Sequence, residues 1–258
     1  MWTLGPELQH SVAQACLVGV RVGMLMVFAP FFGSASVPMR VKAGLTVALT
    51  ALLYPAYGPG AHPAHAIDWF RVVMTETVVG LLLGLTWQFV FEGVQLAGQL
   101  LGFQFGFSLV NVIDPQSQVD TPVLSVFHQA VAFLIFLQLD VHHWILRGLA
   151  KSFEYLPPGS ASATQATTEE FLRVAGGLLL VGVQVAMPAL AATLLADIAL
   201  GLLGKASPQL PVLFVGLSVK GVLGLVVLVG AVAYWPRQLE AYFLGSIASA
   251  ERLLHLAR

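Results

Sequence analysis

The sequence predicts an all-α, polytopic integral membrane protein with about six hydrophobic helices. Of its 258 residues, 57% are hydrophobic and only 10% are charged, whereas soluble domains are about a quarter charged and under half apolar. Too few polar side chains are present to cover the surface of a soluble protein of this length. Disorder is excluded as well, because it requires low hydrophobicity and high net charge, and the net charge here is −1.

The charged residues and the single cysteine exclude further classes. Nucleic-acid binding requires clustered Lys and Arg, but the 12 basic and 13 acidic residues form no basic stripe. Cys16 alone cannot form an internal disulfide or a multi-cysteine zinc site. No Lys or Arg precedes Arg21, so we expect the first apolar segment to be retained rather than cleaved as a signal peptide.

Six apolar stretches account for the predicted helices. A membrane span needs about 20 mostly apolar residues, and a spanning segment is helical because it must satisfy its own backbone hydrogen bonds. Pro188 is expected to kink the fifth stretch. The stretches are residues 12–32, 41–57, 69–91, 124–146, 171–203 and 212–235.

The basic residues outside these stretches predict the topology. If the stretches alternate across the membrane, seven Lys and Arg lie on the side of the two termini and three lie on the other. The positive-inside rule then places both termini in the cytoplasm.

Two connecting segments have distinctive compositions. Residues 157–168 are small and polar, which is typical of a flexible linker, and Thr167 with Glu170 has capping-box spacing that predicts a helix start there. The tail, residues 238–258, has apolar residues at helical spacing. It is predicted to form an amphipathic helix that lies at the membrane interface or docks on a partner.

The central segment, residues 93–122, differs from the six stretches. It begins without charge but is rich in glycine and side-chain amides, and it ends in a polar turn with prolines at 115 and 122. Such composition favours turns over a continuous helix. Backbone of this kind is tolerated at membrane depth only inside protein or beside an aqueous cavity. A loop that enters a pore and an extramembrane hairpin both fit the composition.

Four ionisable residues lie in or at the edge of the apolar stretches: Arg21, Glu92, Asp197 and Lys220. A charge inside a membrane costs about 2.5–3.5 kcal/mol on insertion scales and therefore indicates a role. A proton pathway would need several aligned carboxylates, and only two are available on segments far apart in sequence. Interhelical ion pairs are therefore the favoured interpretation.

No catalytic, metal or cofactor site emerges from the remaining polar residues. Asp140, His142 and His143 fall at the end of a predicted span, where polar residues are common. The segment at residues 201–207 lacks both the first glycine and the hydroxyl of a phosphate-binding loop. We therefore expect neither an enzymatic activity nor a bound cofactor or metal.

Several blocks, taken in order, resemble one known family over nearly the whole chain. They are Ala29-Pro30 after Arg21, Val37-Pro38 before Arg40 and Lys42, the segment from Gly98 to Asp114-Pro115, His142-His143, Asp197 with Gly201, Ser207-Pro208-Gln209-Leu210, and Lys220-Gly221. This set resembles the FliR family, the flagellar type III export-gate proteins. Injectisome export proteins form a sister group that shares most of the blocks.

The resemblance implies a multi-pass subunit of the bacterial inner membrane, in the flagellar basal body. Such a subunit would assemble with FliP and FliQ around a conduit for unfolded protein substrates and would contact FlhB and FlhA. Its hydrophobic helices would pack against these partners as well as against membrane lipids. A stand-alone secondary transporter is the rival from another class, but it would need a matched pair of broken helices, and only residues 171–203 contain such a break.

The resemblance also assigns residues. The loop that helps to close the pore corresponds here to residues 103–120, with Phe103, Gln104, Gly106, Asn111, Asp114, Pro115 and Gln116 as its candidate residues. The candidate subunit-contact or intramembrane polar residues are Arg21, Glu92, Asp197, Pro208, Gln209 and Lys220. Among these, Arg21 and Lys220 are expected at subunit contacts.

Overall fold

The computed structural model describes residues 6–34, 37–57, 66–107, 123–162, 164–207, 209 and 211–258. These residues form helices and connecting turns, with no strand among them, which confirms the all-α prediction. The helices are α1 (Pro6–Phe28), α2 (Met39–Tyr57), α3 (Ala66–Gln104), α4 (Val123–Gln138), α5 (Val141–Tyr155), α6 (Gln165–Ala206), α7 (Val212–Val232) and α8 (Trp235–Leu256).

Within the described ranges, four helices are long and apolar enough to cross a membrane, which confirms the polytopic class. Their apolar parts are Ser11–Phe28, Ile67–Gln104, Gln165–Ala206 and Val215–Val232. The bent pair α4 and α5 counts as a fifth if it forms one span. The 19-residue α2 does not qualify, and Arg40 and Lys42 occupy its first turn.

The chain folds into two compact units. The first comprises Met1–Phe89, Asp140–Ala175 and Phe243–Arg258, and the second comprises Val90–Leu139 and Gly176–Tyr242. Large apolar side chains fill each core, as burial of apolar surface requires. Trp87 and Leu149 are buried in the first unit, and Phe136 and Trp235 are buried in the second.

The first part of the central segment is helical, contrary to prediction. Helix α3 runs for 39 residues and includes Gly93, Gly98 and Gly102. Glycine is unfavourable in a helix interior, but tertiary packing overrides helix propensity. A Cβ on Gly98 would lie 2.5 Å from the Cα atom of Ser125 on α4. The glycine is therefore needed for the close approach of α4 to α3.

The stretch 124–146, predicted as one helix, is two helices joined at a 68° bend. Asp140 at the bend has a left-handed backbone, with φ 54° and ψ 28°. Aspartate is one of the few non-glycine residues that adopts this conformation readily. Hydropathy alone does not detect such a break, because the residues on both sides of it are apolar.

Helix α6 begins earlier than the capping-box spacing predicts. The Thr164 hydroxyl oxygen accepts a hydrogen bond from the Thr167 backbone N–H at 3.1 Å, so Thr164 caps the helix and the predicted box of Thr167 and Glu170 is wrong. The Glu170 carboxylate instead accepts hydrogen bonds from Arg173, one turn later. The helix assignment then continues through Pro188 to Ala206.

The predicted linker is attached to the first unit by hydrogen bonds. The Gly159 N–H donates to the Glu76 carboxylate at 2.9 Å, and the Ser162 N–H donates to the Ala257 carbonyl at 2.8 Å. The Thr167 hydroxyl donates to the Leu256 carbonyl at 3.0 Å. Residue 163 lies outside the described ranges.

The C-terminal tail is helical as predicted, but its apolar face is covered by the chain itself. Leu239, Phe243, Ala250 and Leu254 are all buried. That face is therefore not available to a membrane surface or a partner. Burial raises the pKa of the Tyr242 hydroxyl on the same helix, so it stays protonated and donates a hydrogen bond to a glutamine on α6.

The close approach at Gly98 gives a testable prediction. Substitution Gly98→Ala places a methyl group against the backbone of α4, and overpacking of this kind destabilises by about 1–3 kcal/mol. We expect a lower melting temperature for the detergent-purified chain.

The matched control is Gly176→Ala on α6, where a Cβ meets no heavy atom of the described residues within 4 Å. Alanine at an open helical position stabilises by up to about 1 kcal/mol. Equal melting temperatures for the two variants would show that α3 and α4 do not pack this closely.

Candidate functional site: two polar clusters and the ends of the central loop

A buried ion pair lies in the first unit. The Arg21 Nε donates to Glu76 Oε2 at 2.6 Å, and Nη2 donates to Oε1 at 3.0 Å. Both side chains are fully buried. The pair joins α1 to α3, and its two parallel hydrogen bonds have the fork geometry that makes Arg–carboxylate pairs strong.

Acceptors from α5 and the turn after it complete this cluster. Arg21 Nη1 donates to the Ser152 carbonyl at 2.9 Å and to its hydroxyl at 3.2 Å, and Nη2 donates to the Leu156 carbonyl at 3.0 Å. A guanidinium has five N–H donors, and these five contacts use all of them. The guanidinium carbon also lies 4.3 Å from the centre of the Phe153 ring, a cation–π distance.

The Arg21 cluster consists of Arg21, Glu76, Ser152, Leu156 and Phe153. At its centre is an interhelical ion pair, which is the interpretation that the sequence favours. Arg21 has no exposed surface within the chain, and its role at a subunit contact stays a prediction. Sequence reasoning missed Glu76. A carboxylate inside the apolar stretch 69–91 was the available signal, since an isolated charge there is costly.

A second cluster lies in the second unit, where α3 ends. Lys220 Nζ on α7 is 2.9 Å from Asp197 Oδ1 on α6. Gln104 Nε2, from the last residue of α3, donates to Asp197 Oδ2 at 3.0 Å. The side chains of Lys220 and Asp197 are 19% and 41% exposed. This Asp197 cluster therefore joins three helices through one carboxylate that remains accessible.

The residues that follow Gln104 pack closely against α7. Phe105 is 3% exposed, and a Cβ on Gly224 would lie 2.1 Å from its ring. Gly106 has φ +82° and sits against Leu217, so a left-handed turn follows the buried ring. Residues 104–107, called the loop root below, are thus fixed to α6 and α7.

The other end of the central loop is fixed to α3. Ser125, two residues into α4, is fully buried, and its hydroxyl donates to the Gln95 carbonyl at 3.2 Å. Gln129 Nε2 donates to Gln95 Oε1 at 2.9 Å. Together with the backbone contact of Ser125 at Gly98, these bonds fix the start of α4.

The remaining predicted site residues are distributed as follows. Phe103 is exposed on the last turn of α3, Glu92 is half-buried, and Gln209 is exposed in a turn. Asn111, Asp114, Pro115, Gln116 and Pro208 lie outside the described residues.

Asp140, His142 and His143 meet at the bend between α4 and α5. Their ligand atoms lie within 4.8 Å of one another. Asp140 and His143 are exposed, and the Asp140 carboxylate is 3.5 Å from His143 Nδ1. An exposed acid–imidazole contact of this kind contributes little to stability.

These features define an all-α protein with several membrane-spanning helices, in which the carboxylates of both clusters are paired with cations. The sequence model of the family described as bacterial export proteins, family 1, matches residues 12–245. The chain therefore belongs to this family of bacterial export proteins, which confirms the resemblance to FliR.

Curated relatives agree with this assignment, and the chain covers most of each. It is 31% identical over 197 residues to the flagellar biosynthetic protein FliR of Escherichia coli (strain K12), which is 76% of each chain. It is 32% identical over 225 residues to that of Pectobacterium carotovorum subsp. carotovorum, covering 86% of this chain and 85% of the relative. It is 31% identical over 218 residues to that of Bacillus subtilis (strain 168), covering 83% of each.

The Arg21 cluster yields a second prediction. Glu76→Gln leaves a buried guanidinium without its counter-charge, and breaking a buried pair in this way costs about 3–5 kcal/mol. We expect a large drop in the melting temperature of the chain purified without other subunits.

The double variant Arg21→Met with Glu76→Met is the control, because replacing both charges by apolar groups of similar volume is often close to neutral. It should melt above Glu76→Gln. A single variant as stable as the parent would contradict a structural role for the pair.

Proposed function

We propose that this chain is a membrane subunit of the flagellar type III export gate. In this proposal it lies in the bacterial inner membrane within the flagellar basal body. With FliP and FliQ it forms the conduit for unfolded flagellar substrates, and it contacts FlhB and FlhA. Membership of the bacterial export family supports the export role, and the relatives named flagellar biosynthetic protein FliR favour the flagellar system over the injectisome.

The observation that carries the proposal is that both ends of the central loop are fixed. The Asp197 cluster and the Phe105 ring fix the root, and Ser125 fixes the start of α4. In this proposal the 15 residues between them, 108–122, are an excursion that moves while its two ends stay in place. If half of it runs outward, it reaches about 25 Å at 3.3–3.6 Å per residue, which exceeds the 10–12 Å diameter of a helix.

The composition of residues 108–122 suits a removable plug. The segment contains no aromatic residue and no Lys or Arg, so it offers neither a ring nor a positive charge to a passing unfolded chain. Its two prolines and its Asp, Asn and Ser residues favour turns. We infer that it closes the conduit by occupying it and opens the conduit by moving about its fixed ends.

The exposed apolar faces support assembly with other hydrophobic subunits. Helix α2 has no fully buried residue. On α7, Val222, Val226 and Val229 follow one another at helical spacing with 67%, 66% and 75% of their surface exposed. Within a membrane, close packing and not the hydrophobic effect drives helix association, and these faces are free within the chain to pack against FliP, FliQ or lipid.

The paired carboxylates weigh against the rival secondary transporter. Glu76 is neutralised by Arg21, and Asp197 faces Lys220. A proton-coupled transporter requires carboxylates that gain and lose protons along a path. The driving force for export is therefore assigned to other components, namely the proton motive force and a separate ATPase.

The plug role gives a third prediction. Deletion of residues 110–119 leaves the loop root and α4 unchanged but shortens the excursion from 15 residues to five. We expect vesicles that contain the assembled complex to release a trapped dye of low molecular weight much faster than vesicles with the parent complex.

The control replaces residues 110–119 by ten Gly and Ser residues, which restores length but not sequence. Recovery of the co-purified complex must be unchanged for both variants. A deleted complex as tight as the parent would refute the plug, and a chain that purifies alone and is active in transport would favour the transporter.

A further inference from the structure

An apolar groove lies in the first unit between the beginnings of α3 and α6. It has a volume of about 520 Å³, within the range of about 300–1,000 Å³ typical of small-ligand sites. Its walls are almost entirely apolar. The residues that line it include Ile67, Phe70, Met74 and Val78 on α3, and Thr168 and Phe171 on α6.

The groove lies where α3 and α6, two helices long and apolar enough to cross a membrane, begin. The apolar part of α3 starts at Ile67, and that of α6 starts at Gln165. The groove runs from Ile67 to Leu82 along α3 and from Thr167 to Phe171 along α6. If each span begins where its apolar part begins, one end of the groove is at the lipid headgroups and the rest extends toward the acyl chains.

One cation lines the groove without an ionic partner. Arg71 is exposed, and none of the described residues forms an ion pair or hydrogen bond with its guanidinium. A guanidinium binds phosphate with paired hydrogen bonds, and basic residues beside transmembrane helices attract anionic lipids.

The polar side chains around the groove are already satisfied. The hydroxyls of Thr75, Ser162 and Thr168 all donate to backbone carbonyls of the chain. These hydroxyls therefore have no hydrogen left to donate to the C=O groups of an extended peptide in the groove, and leaving such groups without partners costs free energy in an apolar site. A hydrocarbon chain has no such requirement.

From this geometry we propose that the groove binds an anionic phospholipid. One acyl chain lies along Phe70, Met74, Val78 and Phe171, and the phosphate is held by Arg71. Among the described residues that line the groove, Arg71 is the only charged one, and we therefore expect a preference for a negatively charged headgroup. This assignment is independent of the proposed role of the central loop.

The test uses the purified full-chain complex in mild detergent, with phosphatidylglycerol as the anionic probe and phosphatidylcholine as its zwitterionic counterpart. Retained lipid is counted by native mass spectrometry during a titration. A second form of phosphatidylglycerol carries a photoactivatable group in its acyl chain, and the cross-linked peptides identify where that chain lies. We expect preferential retention of phosphatidylglycerol and cross-links at Met74, Val78 or Phe171.

Substitutions separate the headgroup contact from the groove. Arg71→Ala should weaken phosphatidylglycerol retention about tenfold, the effect of one lost charge-assisted hydrogen bond, and Arg71→Lys should recover part of it. Val78→Trp fills the groove while leaving the cation, and it should abolish the cross-links. Arg252→Ala, an exposed arginine on α8 outside the groove, should leave both readouts unchanged.

Three results would overturn the proposal. They are equal retention of the two lipids by the parent, unchanged retention in both Arg71→Ala and Val78→Trp, and competition by millimolar inorganic phosphate, which would indicate a simple anion site. Cross-links from Met74 or Val78 to another subunit in place of lipid would assign the groove to a protein contact instead. Melting temperatures of the variants show whether each is folded.

Discussion

The charge of a lysine in an apolar helix is costly unless a carboxylate lies beside it. In this chain the carboxylate that meets this requirement also fixes the end of α3. Charge at the centre of a membrane helix costs about 2.5–3.5 kcal/mol, and Lys220 reduces that cost by contacting Asp197 at 2.9 Å. Asp197 then accepts a second hydrogen bond, from Gln104. The same carboxylate therefore neutralises α7 and positions the root of the central loop.

The two polar clusters differ in a way that suits different tasks. The Arg21 cluster is fully buried, and every guanidinium donor has an acceptor. Any rearrangement would therefore leave a buried charge without its partner. The Asp197 cluster is partly exposed, and the Phe105–Gly224 contact beside it is apolar. The first cluster thus gives its unit a unique packing, whereas the second fixes one end of a segment that is proposed to move.

Composition and hydropathy were enough to predict the all-α membrane class and the approximate helices. They failed where tertiary contacts decide the local structure. Gly98 lies inside α3 and allows α4 to approach it closely. The left-handed backbone of Asp140 divides an apolar stretch. Glu76 is recognisable as a partner only once Arg21 is seen beside it, because ion pairs between residues 55 positions apart leave no local pattern.

The central claim is that the loop root stays fixed while the loop moves, and a covalent bridge across the Asp197 cluster tests it most directly. Gln104→Cys and Asp197→Cys are introduced together with Cys16→Ser, which removes the native thiol, and a short reagent that reacts with two thiols joins them. The account predicts that the unbridged variant leaks a small dye, since Asp197 no longer holds the root, and that bridging restores tightness while export continues at the parent rate. A bridged complex that no longer exports would contradict the account, because the root itself would then have to move.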